Sequence, residues 1–198
     1  MPTVITFFLN RTILFATMLA FGLIFSSAHA RELLPLPELE RSDIDEHIKV
    51  NIPGHPIKLP LNRLDGAVFM GSNGESIIFS KSKHFTVGML GPQDWQNQDI
   101  TINEIPQAIF TQNYQSIPSH AVRQQVEAIS INTFRKDHDF IGKMSLGGGT
   151  TAFVAYSPER SSIMITSEDK PHIYTDIVVY GFSWNEIQNL ILNGVETE

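Results

Sequence analysis

Val68-Phe69-Met70-Gly71-Ser72-Asn73-Gly74-Glu75-Ser76-Ile77-Ile78-Phe79 sets an Asn-Gly pair between two apolar runs. That arrangement is a strong hairpin signal, because both central positions of a type I′ turn require positive φ. It predicts a strand over 66–71, a turn over 72–75 and a return strand over 76–82. Phe85, Val87 and Met89 alternate with Thr86 and Gly88, adding a third strand that Gly91-Pro92 ends. Upstream, Ile48, Val50 and Ile52 alternate with Lys49 and Asn51, which predicts another half-buried strand, stopped by Pro53-Gly54.

The middle of the chain changes period. Asn103 is placed to cap a helix from Glu104 to about Tyr114, with Pro106 in the first turn where no backbone donor is needed. Pro118 breaks it. Ser119 then caps a second helix, whose Val122, Val126 and Ile129 share one stripe and whose end falls near Arg135.

The final third returns to strands. Residues 151–157 and 162–166 flank the turn Pro158-Glu159-Arg160, and a longer strand covers 172–180. Ser183-Trp184-Asn185-Glu186 is a capping box opening a last helix, with Gly194 placed to end it in the left-handed conformation. Runs of strands separated by grouped helices predict an α+β fold. The expected architecture is an antiparallel sheet built from two β-meanders, with two central helices and one C-terminal helix packed on it. Residues 67–84 and 152–172 share a strand-turn-strand-histidine pattern, which we read as convergence of two meanders rather than duplication.

The N-terminus bears on compartment. Ile13 to Phe25 is an apolar run preceded by one base, Arg11, and followed by Ser26-Ser27-Ala28-His29-Ala30. Ala28 and Ala30 make the small-x-small pattern of a signal-peptidase site, so residues 1–30 read as a cleavable signal. The apolar run, at about 20 Å as a helix, is short for a roughly 30 Å hydrocarbon core. Residues 31–46 read as an acidic, proline-punctuated leader, loose or docked by its leucines, with the loose form expected at a terminus. Residues 47–198 then make a single domain. The expected location is periplasmic or secreted, with no membrane insertion after cleavage. A cysteine-free exported chain has no disulfide and relies on burial.

Charge narrows the partners. Arg11 is the sole charged residue before Arg31, so 31–198 keeps 13 basic against 21 acidic side chains, a formal charge of −8. That balance disfavours nucleic acid and anionic membranes and leaves open a basic protein partner or a cationic ligand.

Complete catalytic motifs are lacking. Asp137-His138-Asp139 is the densest polar cluster, but consecutive residues project in different directions and rarely supply three ligands to one ion. Lys143 followed by Gly147-Gly148-Gly149 has its lysine on the wrong side of the glycines for a phosphate loop, and reads as a flexible entry or hinge. Ser80-Lys81-Ser82-Lys83 matches Ser-x-x-Lys at a strand end rather than a helix start. No metal site and no cofactor are predicted.

Trp95 lies in a polar loop, flanked by Asp94 and Asp99. It either anchors a partner or folds back over the sheet. The favoured function is an exported, non-catalytic protein-binding module (an inhibitor, immunity or envelope-assembly accessory protein) using Asp94, Trp95 and Asp99. The alternative is a small exported hydrolase assembled by the fold from Asp137, His138, Asp139, His172 and Asp176.

Overall fold

The computed structural model describes residues 31–36, 47–51, 54–60, 66–71, 75–95 and 101–197. Its strands are β1 (Leu34–Pro35), β2 (His47–Val50), β3 (Ile57–Pro60), β4 (Val68–Gly71), β5 (Glu75–Ser80), β6 (Lys83–Leu90), β7 (Phe140–Gly147), β8 (Thr150–Tyr156), β9 (Arg160–Ser167) and β10 (Tyr174–Tyr180). The helices are α1 (Ile105–Thr111), α2 (His120–Thr133) and α3 (Trp184–Asn189). The fold is mixed α+β, as the patterning predicts.

Strands β4 and β5 pair Met70 with Ser76 and Gly71 with Glu75, while the expected Asn73-Gly74 turn between them lies outside the described residues. Eight strands form one sheet in the order β1-β7-β8-β9-β10-β6-β5-β4, while β2 and β3 form a separate hairpin. Every pairing in the large sheet is antiparallel except that of β1 with β7. β6 meets β10 in unbroken register from Leu90 opposite Tyr174 to His84 opposite Tyr180. His84 lies inside β6, whereas His172 precedes β10, so the two strand-turn-strand segments do not match position for position.

Alternation divides the central strands between two cores. Phe85, Val87, Ile177 and Val179 face the β2–β3 hairpin and the C-terminal helix, with Ile57, Ile187 and Ile191 in the same cluster. Phe153, Met164 and Tyr174 point the other way, beneath Ile105, Ile109 and Phe110 of α1 and Val122 and Val126 of α2. Tyr114 donates to Ser130 Oγ at 2.7 Å, and Ser130 donates to the Ile109 carbonyl at 3.3 Å, locking the two helices together.

Local chemistry accounts for the helix starts. Ser119 Oγ accepts the Val122 amide at 3.4 Å. At α3 the Glu186 amide donates to Ser183 Oγ at 3.4 Å and the Ser183 amide to Glu186 Oε2 at 3.0 Å, the reciprocal box read from sequence. An ion pair from Lys83 to Glu186 ties α3 to β6.

Several expectations need correcting. Asn103 does not cap α1: a 3-10 turn over Ile102–Glu104 feeds the helix, and Glu104 stands at the cap. Gly194 is not left-handed, because the chain leaves α3 through a π-helical turn, Leu190–Gly194. The segment 140–147 is β7 rather than a loop, with Gly142, Met144 and Leu146 buried on alternate positions. The glycine run is the β7–β8 turn, with φ of 85°, 56° and 71° at Gly147, Gly148 and Gly149.

The leader is docked where it is described. Arg31 donates its backbone N–H to Thr111 O at 2.6 Å, and Leu36 to Lys143 O at 2.9 Å. Residues Arg31–Glu198 cluster as one compact unit. Residues 1–30, the expected signal, and 37–46, with the acidic run, lie outside the described residues. Among the described residues no helix is long and apolar enough to cross a membrane.

Candidate functional site

Trp95 follows a 3-10 turn, Pro92–Asp94, at the end of β6. Asp94 Oδ2 accepts the Gly91 amide at 2.8 Å and Gln93 Nε2 at 3.1 Å, so this carboxylate closes the turn. The indole is only 5% exposed and lies 6.4 Å, centroid to centroid, from Tyr174. An exposed aromatic anchor is therefore not what this loop presents. Burying an indole against the sheet gains more than leaving it in water, and the turn at Asp94 aims it inward. Asp99 lies outside the described residues.

The five hydrolase candidates do not converge. Asp137, His138 and Asp139 precede the Phe140 end of β7, whereas His172 adjoins the opposite end, where Asn103 donates to the Pro171 carbonyl at 3.2 Å. The intervening strand separates those ends by about 25 Å at its ordinary rise. His138 packs edge-on against Phe134 at 5.7 Å, and burial, then Arg160 and Arg31, hold its pKa below the usual value. Asp137 and Asp139 line a hollow of about 590 Å³, beside the ion pair of Lys136 with Glu159. Among the described residues no group of three His, Asp or Glu side chains is placed to hold a metal ion.

Asp176 stands apart from the other four. It lies in β10 opposite Met164 of β9 and Gly88 of β6. Alternation from Tyr174 puts it on the face that α1 and α2 partly cover. A side chain at Gly88, its neighbour across the ladder, would meet nothing within 4 Å. Burial pushes its pKa up to about 6, with Arg160 opposing. Asp176 Oδ1, the Tyr174 hydroxyl and Trp95 Nε1 are all buried without a hydrogen-bond partner. Burial, then the charges of Asp176 and Asp94, raise the Tyr174 pKa well above its ordinary value.

Two surfaces escaped sequence reasoning. The first is the β4 edge, where Val68, Phe69 and Met70 are 55%, 53% and 54% exposed. Among the described residues β4 ends the sheet, so one row of its backbone groups has no strand partner there. The alternation reading marked these residues as a strand but could not say that no further strand would cover them.

The second is a cleft of about 650 Å³ at the other end of the sheet, between the approach to α1 and strands β7 to β9. Lys143, Ser145, Thr151 and Thr166 line it from the strands, and Asn103 and Glu104 from the helix approach. Its residues come from segments more than a hundred positions apart, and no local motif announces them.

Comparison with protein families, with curated proteins and with solved structures gave no match.

Proposed function

We propose that this protein works outside the cytoplasm, after cleavage behind Ala30, as a non-catalytic module that binds another protein. The small-x-small site at Ala28 and Ala30 supports the compartment. The observation that carries the binding reading is the β4 edge, with three consecutive apolar side chains more than half exposed. Single exposed apolar residues are ordinary; a contiguous apolar edge strand is a template for another strand. The occupant is an extended, basic segment of a partner protein. It pairs with the β4 backbone, its apolar side chains cover Val68, Phe69 and Met70, and its charge complements the acidic chain. The fold suits this use as two meanders sharing one sheet, β4–β6 and β7–β10, joined at β6–β10 so that β4 is left at the margin; the strand order supports that arrangement.

The test is capture of envelope proteins by the processed chain, compared with a Val68→Lys/Met70→Lys double variant. A stoichiometric partner that the variant loses, with melting unchanged and binding weakened by salt, supports the reading. Equal capture by both proteins, or dimerisation of this chain through β4, overturns it.

The hydrolase reading keeps one observation in its favour. Burial pushes the Asp176 carboxyl up to about 6, a range suited to proton transfer. Its named partners lie elsewhere, so it ranks second.

A further inference from the structure

The cleft at the β7–β9 end of the sheet carries charges that have no ion-pair partner among the described residues. Lys143 is exposed on β7, and Glu104 and Glu168 are exposed at the approach to α1 and just after β9. Long charged side chains gathered around a concavity of about 650 Å³, a volume typical of ligand sites, commonly answer charges on the ligand.

The layout of these charges has a direction. Lys143 pairs across the ladder with Phe153 of β8, and Glu168 packs over Gly149 at the turn that opens β8. Gly149 and Phe153 are four residues apart, about 13 Å along a strand. Lys143 on β7 and Glu168 just after β9 stand either side of β8, offset by that length along the sheet, so an extended tripeptide of about 10 Å bridges them only with both side chains reaching inward over the cleft. Glu104 adds a second carboxylate on the helix wall.

Between those charges the lining is chosen for amides. Asn103 lines the cleft, and its Oδ1 is buried with no hydrogen-bond partner. That oxygen is sealed from solvent, so a ligand N–H reaches it only when the amide turns toward the cleft, and then recovers the free energy that an unpartnered carbonyl costs. Thr151 and Thr166 offer hydroxyls that donate to carbonyl oxygens. Leu36 supplies an apolar wall because β1 docks on β7.

We propose that this cleft is a binding site for a short linear peptide with free termini, its α-carboxylate on Lys143, its α-ammonium on Glu168 and a backbone N–H on Asn103 Oδ1. A neutral sugar would use the hydroxyls but leave all three charges unanswered. The site lies at the opposite end of the sheet from β4 and does not depend on partner binding there.

Titration of the protein, as recovered from cells, with trialanine tests the site, followed by amide chemical shifts and calorimetry. The expected result is perturbation centred on Asn103, Thr151 and Glu168. N-acetyl-trialanine and trialanine amide should each bind about tenfold more weakly, the loss of one charge-assisted contact. Lys143→Gln should weaken free trialanine by a similar factor and leave the amide unchanged, and Glu168→Gln should do the same for the N-acetyl form. Both side chains are exposed, so melting should not move, and Val68→Lys/Met70→Lys should bind trialanine normally. No perturbation at millimolar peptide, equal affinity for capped and free peptides, or perturbation of the cleft by trehalose alone would each overturn the proposal.

Discussion

The backbone nitrogen of Arg31 donates to the carbonyl of Thr111, the last residue of α1, at 2.6 Å, while the Arg31 guanidinium lies 4.6 Å above the Phe134 ring. In a chain cleaved behind Ala30 that nitrogen is an α-ammonium set at the negative end of α1, where a cation is favoured. Acetylating it keeps one donor and removes the charge. The Arg31 form should therefore be more stable than its Nα-acetylated counterpart by about 0.5–1 kcal/mol, read from urea midpoints at low salt.

Trp95 is a core residue, so its truncation should be costly. Trp95→Ala is expected to destabilise by about 3–5 kcal/mol, through lost burial and the cavity left against Tyr174. Equilibrium denaturation followed by far-UV circular dichroism measures this. A variant with unchanged stability would show the indole to be exposed in solution.

Asp176 and His55 should pull stability in opposite directions across the same pH range. Burial raises Asp176 to about 6 from an ordinary 3.8, so its folded carboxyl prefers the proton. Its contribution is fully present below about 4 and is lost as pH rises to about 6. His55 is buried, and burial, then Lys170, lower it to about 4; its contribution is present above about 6.5 and is lost as pH falls through 4. Each effect amounts to about 3 kcal/mol, so they largely offset one another between pH 4 and 6.5. Asp176→Asn removes one side of that balance. The variant should show a steeper acid loss than the parent and a gain at pH 7.5, measured by urea unfolding at several pH values.

The β7–β8 turn should resist side chains. Gly148 has φ of 56°, a conformation that costs an L-residue about 1–2 kcal/mol. Gly148→Ala should lower stability by about 1 kcal/mol and Gly148→Asn by less, since Asn tolerates the left-handed region. Thermal melting of both variants checks the order.

Gly142 should be needed for β1 to dock. A Cβ there would lie 2.5 Å from the Leu34 carbonyl oxygen, too close for any rotamer to relieve. Gly142→Ala should release β1, speeding hydrogen exchange at the Leu36 amide, whose bond to Lys143 depends on that contact.

What could be read from the sequence was local. The Ser183–Glu186 box and the Ser119 cap each act within four residues, and the structure forms a helix at each; the strands flanking Asn73-Gly74 pair, while those two residues lie outside the described ones. β7 was missed because Asp137-His138-Asp139 and the triple glycine framed it as loop, although Gly142, Met144 and Leu146 carry the period of two. β1 pairs with a strand over a hundred residues away, and nothing in Leu34-Pro35 names that partner. Trp95 had two readings because burial depends on what lies beneath the loop, here Tyr174 from β10. The cleft was illegible for the same reason, since Asn103, Lys143 and Glu168 meet only through sheet topology.

The β6–β10 ladder also sets a timetable. β6 must wait for a partner that is synthesised roughly 90 residues later, several seconds at ordinary elongation rates. Until then the β4–β6 unit exposes two open edges rather than one, together with the apolar faces of Phe85 and Val87. Such an intermediate is the species most prone to wrong pairing, and high contact order slows its escape. A chain built this way depends on being kept unfolded, or shielded, until β10 is available, so its yield in cells should respond to holding chaperones more sharply than its equilibrium stability would suggest.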